Sequence, residues 1–170
     1  DVLLRAINDQ DIGICVSSAQ LVPLPMVVRR GRFDEAHRLL AEADEMTVGL
    51  TIVQTRGLFH MLAAELALEE GRPDDAYEEV ERALALAAGT EDETLKPAMC
   101  ALGTRALADR LEHAHSHGLR ADTDKLRLQA GGLVQEVDRL VAARTARGAR
   151  PTNRAVALAA SCAAETSRLE

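Results

Sequence analysis

A six-residue pattern occurs twice in this chain, forty positions apart, and it restricts the possible folds more than any other feature. The first copy, GRFDEA, begins at Gly31 and is followed by Ala43; the second, GRPDDA, begins at Gly71 and is followed by Ala83. In each copy the glycine is placed to end one helix and the acidic pair to begin the next. A helical hairpin of this kind cannot bury its own apolar face, so neighbouring hairpins must stack. We therefore expect an all-α repeat protein that binds other molecules and is not an enzyme.

The spacing within each copy resembles the second half of a tetratricopeptide repeat. The matching positions are Gly31, Phe33, Ala36, Leu40 and Ala43 in the first copy and Gly71, Pro73, Ala76, Val80 and Ala83 in the second. The helix before the second copy departs from the family, because His60 and Ala67 occupy positions where large aromatic residues are usual. The period of forty also exceeds the family's usual ~34 residues.

Longer repeats of this kind are similar to the sensor region of large ATP-dependent LuxR-type (MalT-like) bacterial transcriptional regulators. The segments EEGRPDDAYEEVERALALAAGTEDETL and ALGTRALADRLE show this similarity. The resemblance implies antiparallel helical hairpins stacked as a right-handed superhelix, or α-solenoid. It also implies partners within the same polypeptide, namely a nucleotide-binding module and a helix-turn-helix DNA-binding module. The chain itself has neither a phosphate-binding loop nor a compact basic recognition helix.

Composition and patterning also bear on the domain organisation. With 47% apolar residues, 170 residues suffice for one helical-repeat domain, which we interpret as part of a longer polypeptide. The expected divisions are a lead-in at 1–28, repeat units at 29–49, 50–89 and 90–148, and the start of a further repeat at 149–170. We expect helices at about 33–46, 50–69, 73–88 and 122–146. Thr90 and Glu93 predict a capping box for a helix that ends near His117, and a last helix from Thr152 is expected to continue at Leu169.

Charge and cysteine content indicate which partners and which cellular compartment to expect. The net charge of −7 argues against direct nucleic-acid binding, and no apolar run is long enough to cross a membrane. Cys15, Cys100 and Cys162 are widely spaced, which is typical of reduced residues that fill a core. We expect a cytoplasmic protein without a cofactor.

Two histidines are the most plausible metal ligands in the sequence. His113 and His117 lie four residues apart on one predicted helix, a spacing at which two imidazoles can bind zinc or nickel. A structural zinc site needs four ligands, however, and histidines also suit a solvated helix C-terminus. A metal-dependent helical enzyme is thus the remotest of three hypotheses. The other two are the regulator segment and a stand-alone tetratricopeptide-like scaffold for protein–protein interaction.

Carboxylates are concentrated between residues 65 and 95, a segment that contains eleven acidic residues and only two arginines. Catalysis by paired carboxylates needs two groups in unlike environments, one of them buried. Because the acids are dense and interleaved with Arg72 and Arg82, we predict a solvated acidic face. Within it, Glu78 and Arg82 are expected to pair across one helical turn.

Carrying the repeat pattern onto this chain predicts a ligand-binding wall. In tetratricopeptide-like proteins the first helix of each hairpin lines the inner surface, which places Leu58, Met61, Glu65, Leu68 and Glu69 there. Apolar side chains mixed with acids suit a peptide, an amine-bearing small molecule or another part of the same polypeptide. The alternative is that the three apolar residues only complete the packing between helices.

A basic stretch near the C-terminal end is a second candidate surface. Arg144, Arg147, Arg150 and Arg154 have no acid between them, and they suit either an anionic partner or a helix C-terminus. Their charge complements the acidic residues 65–95, which suggests head-to-tail self-association. If so, replacing all four arginines with glutamate abolishes it, and an unchanged mass in light scattering would contradict the idea.

Overall fold

The protein is all-helical throughout the residues that the computed structural model describes, 21–47, 53–90 and 92–170. The seven α-helices of these ranges, numbered in chain order, are α1 (Leu24–Arg29), α2 (Phe33–Thr47), α3 (Leu58–Glu69), α4 (Pro73–Leu86), α5 (Leu95–Ser116), α6 (Thr123–Ala146) and α7 (Asn153–Ser167). A π-helical turn, Val53–Gly57, leads directly into α3. Within the described ranges, no helix combines the length and apolarity needed to cross a membrane.

Most of the expected helices are confirmed. Those expected at 33–46, 73–88 and 122–146 correspond to α2, α4 and α6, and α3 agrees with the part of 50–69 that is described. The last helix ends at Ser167, and Leu169 turns back into the core instead of extending α7. Residues 1–20, which include Cys15, and residues 48–52 lie outside the described residues.

The predicted capping box before α5 is wrong. The Thr90 hydroxyl donates a hydrogen bond to the Ala87 carbonyl at 2.8 Å, so it completes the turn after α4 and does not cap the next helix. The carboxylate of Asp92 accepts hydrogen bonds from the N–H groups of Thr94 and Leu95 instead, both at 2.8 Å. The first turn of α5 is therefore held by a residue two positions after the predicted cap.

The two copies of the repeated pattern form the same turn. Gly31 and Gly71 have φ angles of 69° and 71°, a left-handed conformation that glycine adopts without steric cost. The arginine after each glycine donates a backbone hydrogen bond to a carbonyl oxygen in the last turns of the preceding helix. Arg32 N–H donates to the Val27 carbonyl at 3.1 Å, and Arg72 N–H donates to the Ala67 carbonyl at 2.8 Å. These hydrogen bonds satisfy carbonyl groups at the helix C-terminus and reverse the chain within three residues.

Helix α3 lies between two separate apolar clusters. Leu62 and Leu66 belong to a cluster shared with α1 and α2, whereas Ala64 and Leu68 belong to a larger one that extends to α7. A helix contacted from both sides must be apolar around most of its circumference, as LFHMLAAELALE is. Helix α4 packs against α3 and α5 through one face, which contains Ala76, Tyr77, Val80 and Ala83, and its acidic residues lie mainly outside this face.

Helix α5 is at the centre of the larger cluster and packs against α3, α4, α6 and α7. Small buried residues allow these four neighbours to approach it: Ala98, Cys100, Gly103, Thr104, Ala106 and Ala108. The approach is closest at Gly103, where a Cβ atom would lie 2.7 Å from Leu133 Cδ1 and 3.1 Å from Val80 Cγ1. A side chain at this position would have to displace Leu133 and Val80, so packing and not the backbone angles favours glycine here.

Two glycine substitutions should have opposite effects on stability. Gly132 lies within α6 with open space around its Cα, so Gly132→Ala should raise the free energy of unfolding by about 0.5–1 kcal/mol. Gly103→Val should lower it by about 1–3 kcal/mol, because the added methyl groups overlap Leu133 and Val80. Urea denaturation followed by circular dichroism measures both. A Gly103→Val variant as stable as the parent would contradict the close packing around α5.

Candidate functional site

The structure divides the predicted binding wall into buried and accessible residues. Met61 and Leu68 are only 8% and 6% exposed, so for these two the alternative interpretation, that they complete the packing between helices, describes the structure. Leu58 is half-buried and packs against the cluster formed by α1, α2 and α3. Glu65 and Glu69 are the two predicted residues whose polar groups reach the surface.

Glu65 does not belong to a solvated acidic face, and that part of the sequence prediction is wrong. Its side chain is partly buried, and this burial raises its pKa above the ordinary value, against the opposing charges of Arg29 and Arg105. Arg29 lies on α1 and Arg105 on α5, so Glu65 is held between two neighbouring helices. The sequence run alone does not show this, because burial depends on which helices pack against α3.

Charged side chains on the odd-numbered helices are connected to Glu65 by electrostatic interactions and ion pairs, and we call this set the odd-helix row. Its members are Arg29 of α1, Glu65 and Glu69 of α3, Arg105, Asp109 and Glu112 of α5, and Glu165 and Arg168 at the end of α7.

Ion pairs connect the odd-helix row from α3 to α7. Arg105 lies 3.1 Å from Glu69 and 3.6 Å from Asp109. Asp109 in turn lies 2.7 Å from Arg168, which also contacts Glu112 at 2.7 Å and Glu165. The row thus has five carboxylates and three guanidinium groups, and its charge is negative where all are ionised.

These ion pairs are exposed enough to be exchanged. Glu69 and Arg105 have side-chain exposures of 44% and 40%, and Glu112 reaches 63%. Exposed pairs of this kind contribute only about 0–1 kcal/mol each, since water and salt compete with them. A cationic partner can therefore displace an arginine of the row at small cost.

Glu70 and Glu79 are also less solvated than predicted, with side-chain exposures of 17% and 19%, whereas Asp74, Asp75 and Glu78 are exposed as predicted. His60, which is 8% exposed, contacts Glu79 at 2.6 Å, and His37 contacts Glu70 at 2.8 Å. Burial opposes ionisation of Glu79, but the hydrogen bond from His60 and the charge of Arg82 outweigh it, so its pKa lies below the ordinary value. The predicted Glu78–Arg82 pair is present at 3.3 Å.

The histidines at the end of α5 lie on the surface. The rings of His113 and His117 stack with their centroids 4.2 Å apart, and the Nδ1 atom of His117 lies 2.9 Å from the His113 carbonyl oxygen. Over the described part of the chain, no three side chains of His, Cys, Asp or Glu come together in a geometry that could hold a metal ion. Cys100 and Cys162 are buried in the larger cluster, as the sequence predicts for core-filling residues.

The basic stretch has a partner within the same chain. Arg144 and Arg147 each contact a different carboxylate oxygen of Glu93, in the loop between α4 and α5. Arg144 also donates a hydrogen bond to the Arg150 carbonyl oxygen at 2.7 Å. Because two of the four arginines already hold this loop, a test of self-association is cleaner with Arg150 and Arg154 alone.

Two important residues were missed by sequence analysis. Glu93 was interpreted as a helix cap, yet it joins a loop to residues more than fifty positions later. Lys96 is 6% exposed, although lysine is rarely buried. The only local sequence signal for the burial of Lys96 is the otherwise apolar segment Leu95 to Met99, in which a lysine is unusual.

The Glu93 contact should make stability depend on pH. The hydrogen bond from Arg144 holds the pKa of Glu93 below its ordinary value of 4.5, and Arg147 adds to the effect. A carboxyl with a lowered folded-state pKa stabilises the protein above its unfolded-state pKa, and this stabilisation is lost as the pH falls through the folded-state value. Glu93→Gln should therefore unfold at lower urea concentration than the parent at pH 7, and the difference should shrink below pH 4.5. Glu45→Gln, at an exposed position on α2, is the control; parallel pH profiles of the parent and Glu93→Gln would contradict the contact.

Comparison with known proteins gives no match to this sequence among protein-family models, curated proteins or solved structures. The resemblance to tetratricopeptide repeats and to LuxR-type regulators therefore stays a prediction from the residues that show it.

Proposed function

We propose that this chain is a non-catalytic sensor and interaction segment built from helical hairpins that stack as a tetratricopeptide-like α-solenoid. The observation that supports it best is the pattern of helix contacts. The odd-numbered helices pack on one another in sequence, α1 on α3, α3 on α5 and α5 on α7. The even-numbered helices pack against the odd helix that follows, α2 on α3, α4 on α5 and α6 on α7. Stacked hairpins with a common orientation have these contacts.

In such a stack the odd-helix row is the surface on which a partner would lie. Met61 and Leu68, the apolar residues of α3 predicted on this surface, are buried in packing, so a partner would meet mainly charged side chains. Five carboxylates outnumber three guanidinium groups there, which favours an extended segment rich in lysine and arginine. The resemblance to LuxR-type regulators leads us to place that segment in the same polypeptide, where its binding and release would control the ATPase and DNA-binding modules.

Charge reversal on the row tests the binding surface. Fluorescence anisotropy would measure binding of labelled twelve-residue peptides that differ only in net charge. We expect lysine-rich peptides to bind the parent, and Glu69→Lys with Glu112→Lys to weaken them about tenfold or more, since 1.4 kcal/mol is one factor of ten. The control, Glu45→Lys with Glu81→Lys, changes the net charge equally at exposed positions on α2 and α4.

Equal binding by both double variants would show that only overall charge matters, and would contradict a site on the row. The link to a regulator has its own test in the full-length gene product. Nucleotide hydrolysis there should change when Glu69 and Glu112 are reversed. A gene product without nucleotide hydrolysis would contradict the regulator and leave the binding surface as a scaffold.

A further inference from the structure

A groove with a volume of about 510 Å³ lies between the loop after α4 and helix α6, apart from the odd-helix row. Its charged lining consists of Lys96, Glu136 and Arg139, and its apolar lining includes Leu84 and Leu133. This volume is in the range of small-molecule sites, about 300–1,000 Å³, which combine apolar walls with a few polar groups. The groove therefore has the size and composition of a ligand site.

Lys96 is the unusual group in this groove. Its side chain is 7% exposed, and its Nζ donates hydrogen bonds to the Thr90 carbonyl at 2.7 Å and to Glu136 Oε1 at 3.4 Å. An ammonium group has three N–H donors, and a buried charge is costly unless it is well paired. The distance to Glu136 is long for a charge-assisted hydrogen bond, so the carboxylate compensates Lys96 only weakly.

The Glu136 carboxylate lies 3.4 Å from Lys96 Nζ because Arg139 binds this carboxylate more closely. Two nitrogens of the Arg139 guanidinium donate hydrogen bonds to the carboxylate, Nε at 2.8 Å and Nη2 at 2.9 Å. The hydrogen bonds from Arg139 are the main reason that the pKa of Glu136 lies below its ordinary value. Cys100 also lines the groove, and burial raises the pKa of its thiol to about 12, so it is neutral at pH 7. Two cations and one anion leave the charged lining of the groove with a positive balance, although the whole chain has a net charge of −7.

We propose that this groove binds a small organic monocarboxylate, with the carboxylate on Lys96 and the aliphatic part against Leu84 and Leu133. The ligand would supply the close negative partner that Lys96 lacks, and its single charge matches the positive balance of the lining. The loop after α4 and helices α5 and α6 all contribute to the lining, so an occupied groove connects these three segments. This inference stands apart from the peptide surface, because none of the groove residues belongs to the odd-helix row.

Thermal melting with straight-chain monocarboxylates from acetate to octanoate, and with inorganic phosphate, tests the proposal. At 100 times its dissociation constant a bound monocarboxylate should raise the melting temperature by roughly 5–10 °C. Lys96→Met should abolish the shift, while Lys125→Met, at an exposed lysine on α6, should keep it. Circular dichroism of Lys96→Met establishes that the variant is folded.

Glu136→Gln separates a binding site from a lysine that only supports the fold. Removing the competing carboxylate should tighten binding of the same monocarboxylate about tenfold, measured by titration calorimetry. A structural role of Lys96 alone predicts no binding by either the parent or Glu136→Gln. Absence of a shift with every monocarboxylate in both proteins would overturn the proposal, as would a shift that Lys96→Met retains. A shift with phosphate alone would overturn the choice of a carboxylate ligand.

Discussion

The close approach of four helices to α5 is the contact on which the rest of the structure depends. It depends on small side chains on α5, and glycine at position 103 lets Leu133 and Val80 approach most closely, because a Cβ atom there would lie 2.7 Å and 3.1 Å from their side chains. Bulkier residues there would separate α4 and α6 from α5 and open the larger apolar cluster. Both candidate sites depend on this packing: α5 supplies Arg105 and Asp109 to the odd-helix row and Lys96 to the groove.

Local chemistry explains what could be predicted from the sequence. The turns at Gly31 and Gly71 depend on a glycine that adopts a positive φ and on the residues beside it, so a six-residue pattern is sufficient to place them. The bounds of α2, α4 and α6 follow for the same reason, from apolar spacing and from residues that begin or end a helix. At this level the sequence predicts an all-helical chain, and the structure confirms this fold class in the described residues.

The remaining features depend on contacts between residues far apart in the chain. Lys96 and Glu136 are forty positions apart in the sequence, and Arg168 and Asp109 are fifty-nine positions apart. For Met61 and Leu68 the repeat pattern allows either an accessible wall or packing between helices, and both residues are buried because α3 is contacted on both sides. Thr90 matches a capping box in sequence, yet its hydroxyl is used by the preceding turn. In each case the number and position of neighbouring helices determines the environment, which one residue pattern cannot specify.

Native-state hydrogen exchange tests the central position of α5 most directly. Amides of the buried segment Ala106 to Ala108 should exchange only through global unfolding, since α5 packs against helices on several sides. Amides of α2, which packs on the smaller cluster, should exchange through an opening of equal or lower free energy. If Leu107 exchanges through a lower-energy opening than Leu40 of α2, then α5 is not the helix that holds the structure together, and the stability of the fold does not depend on the packing around Gly103.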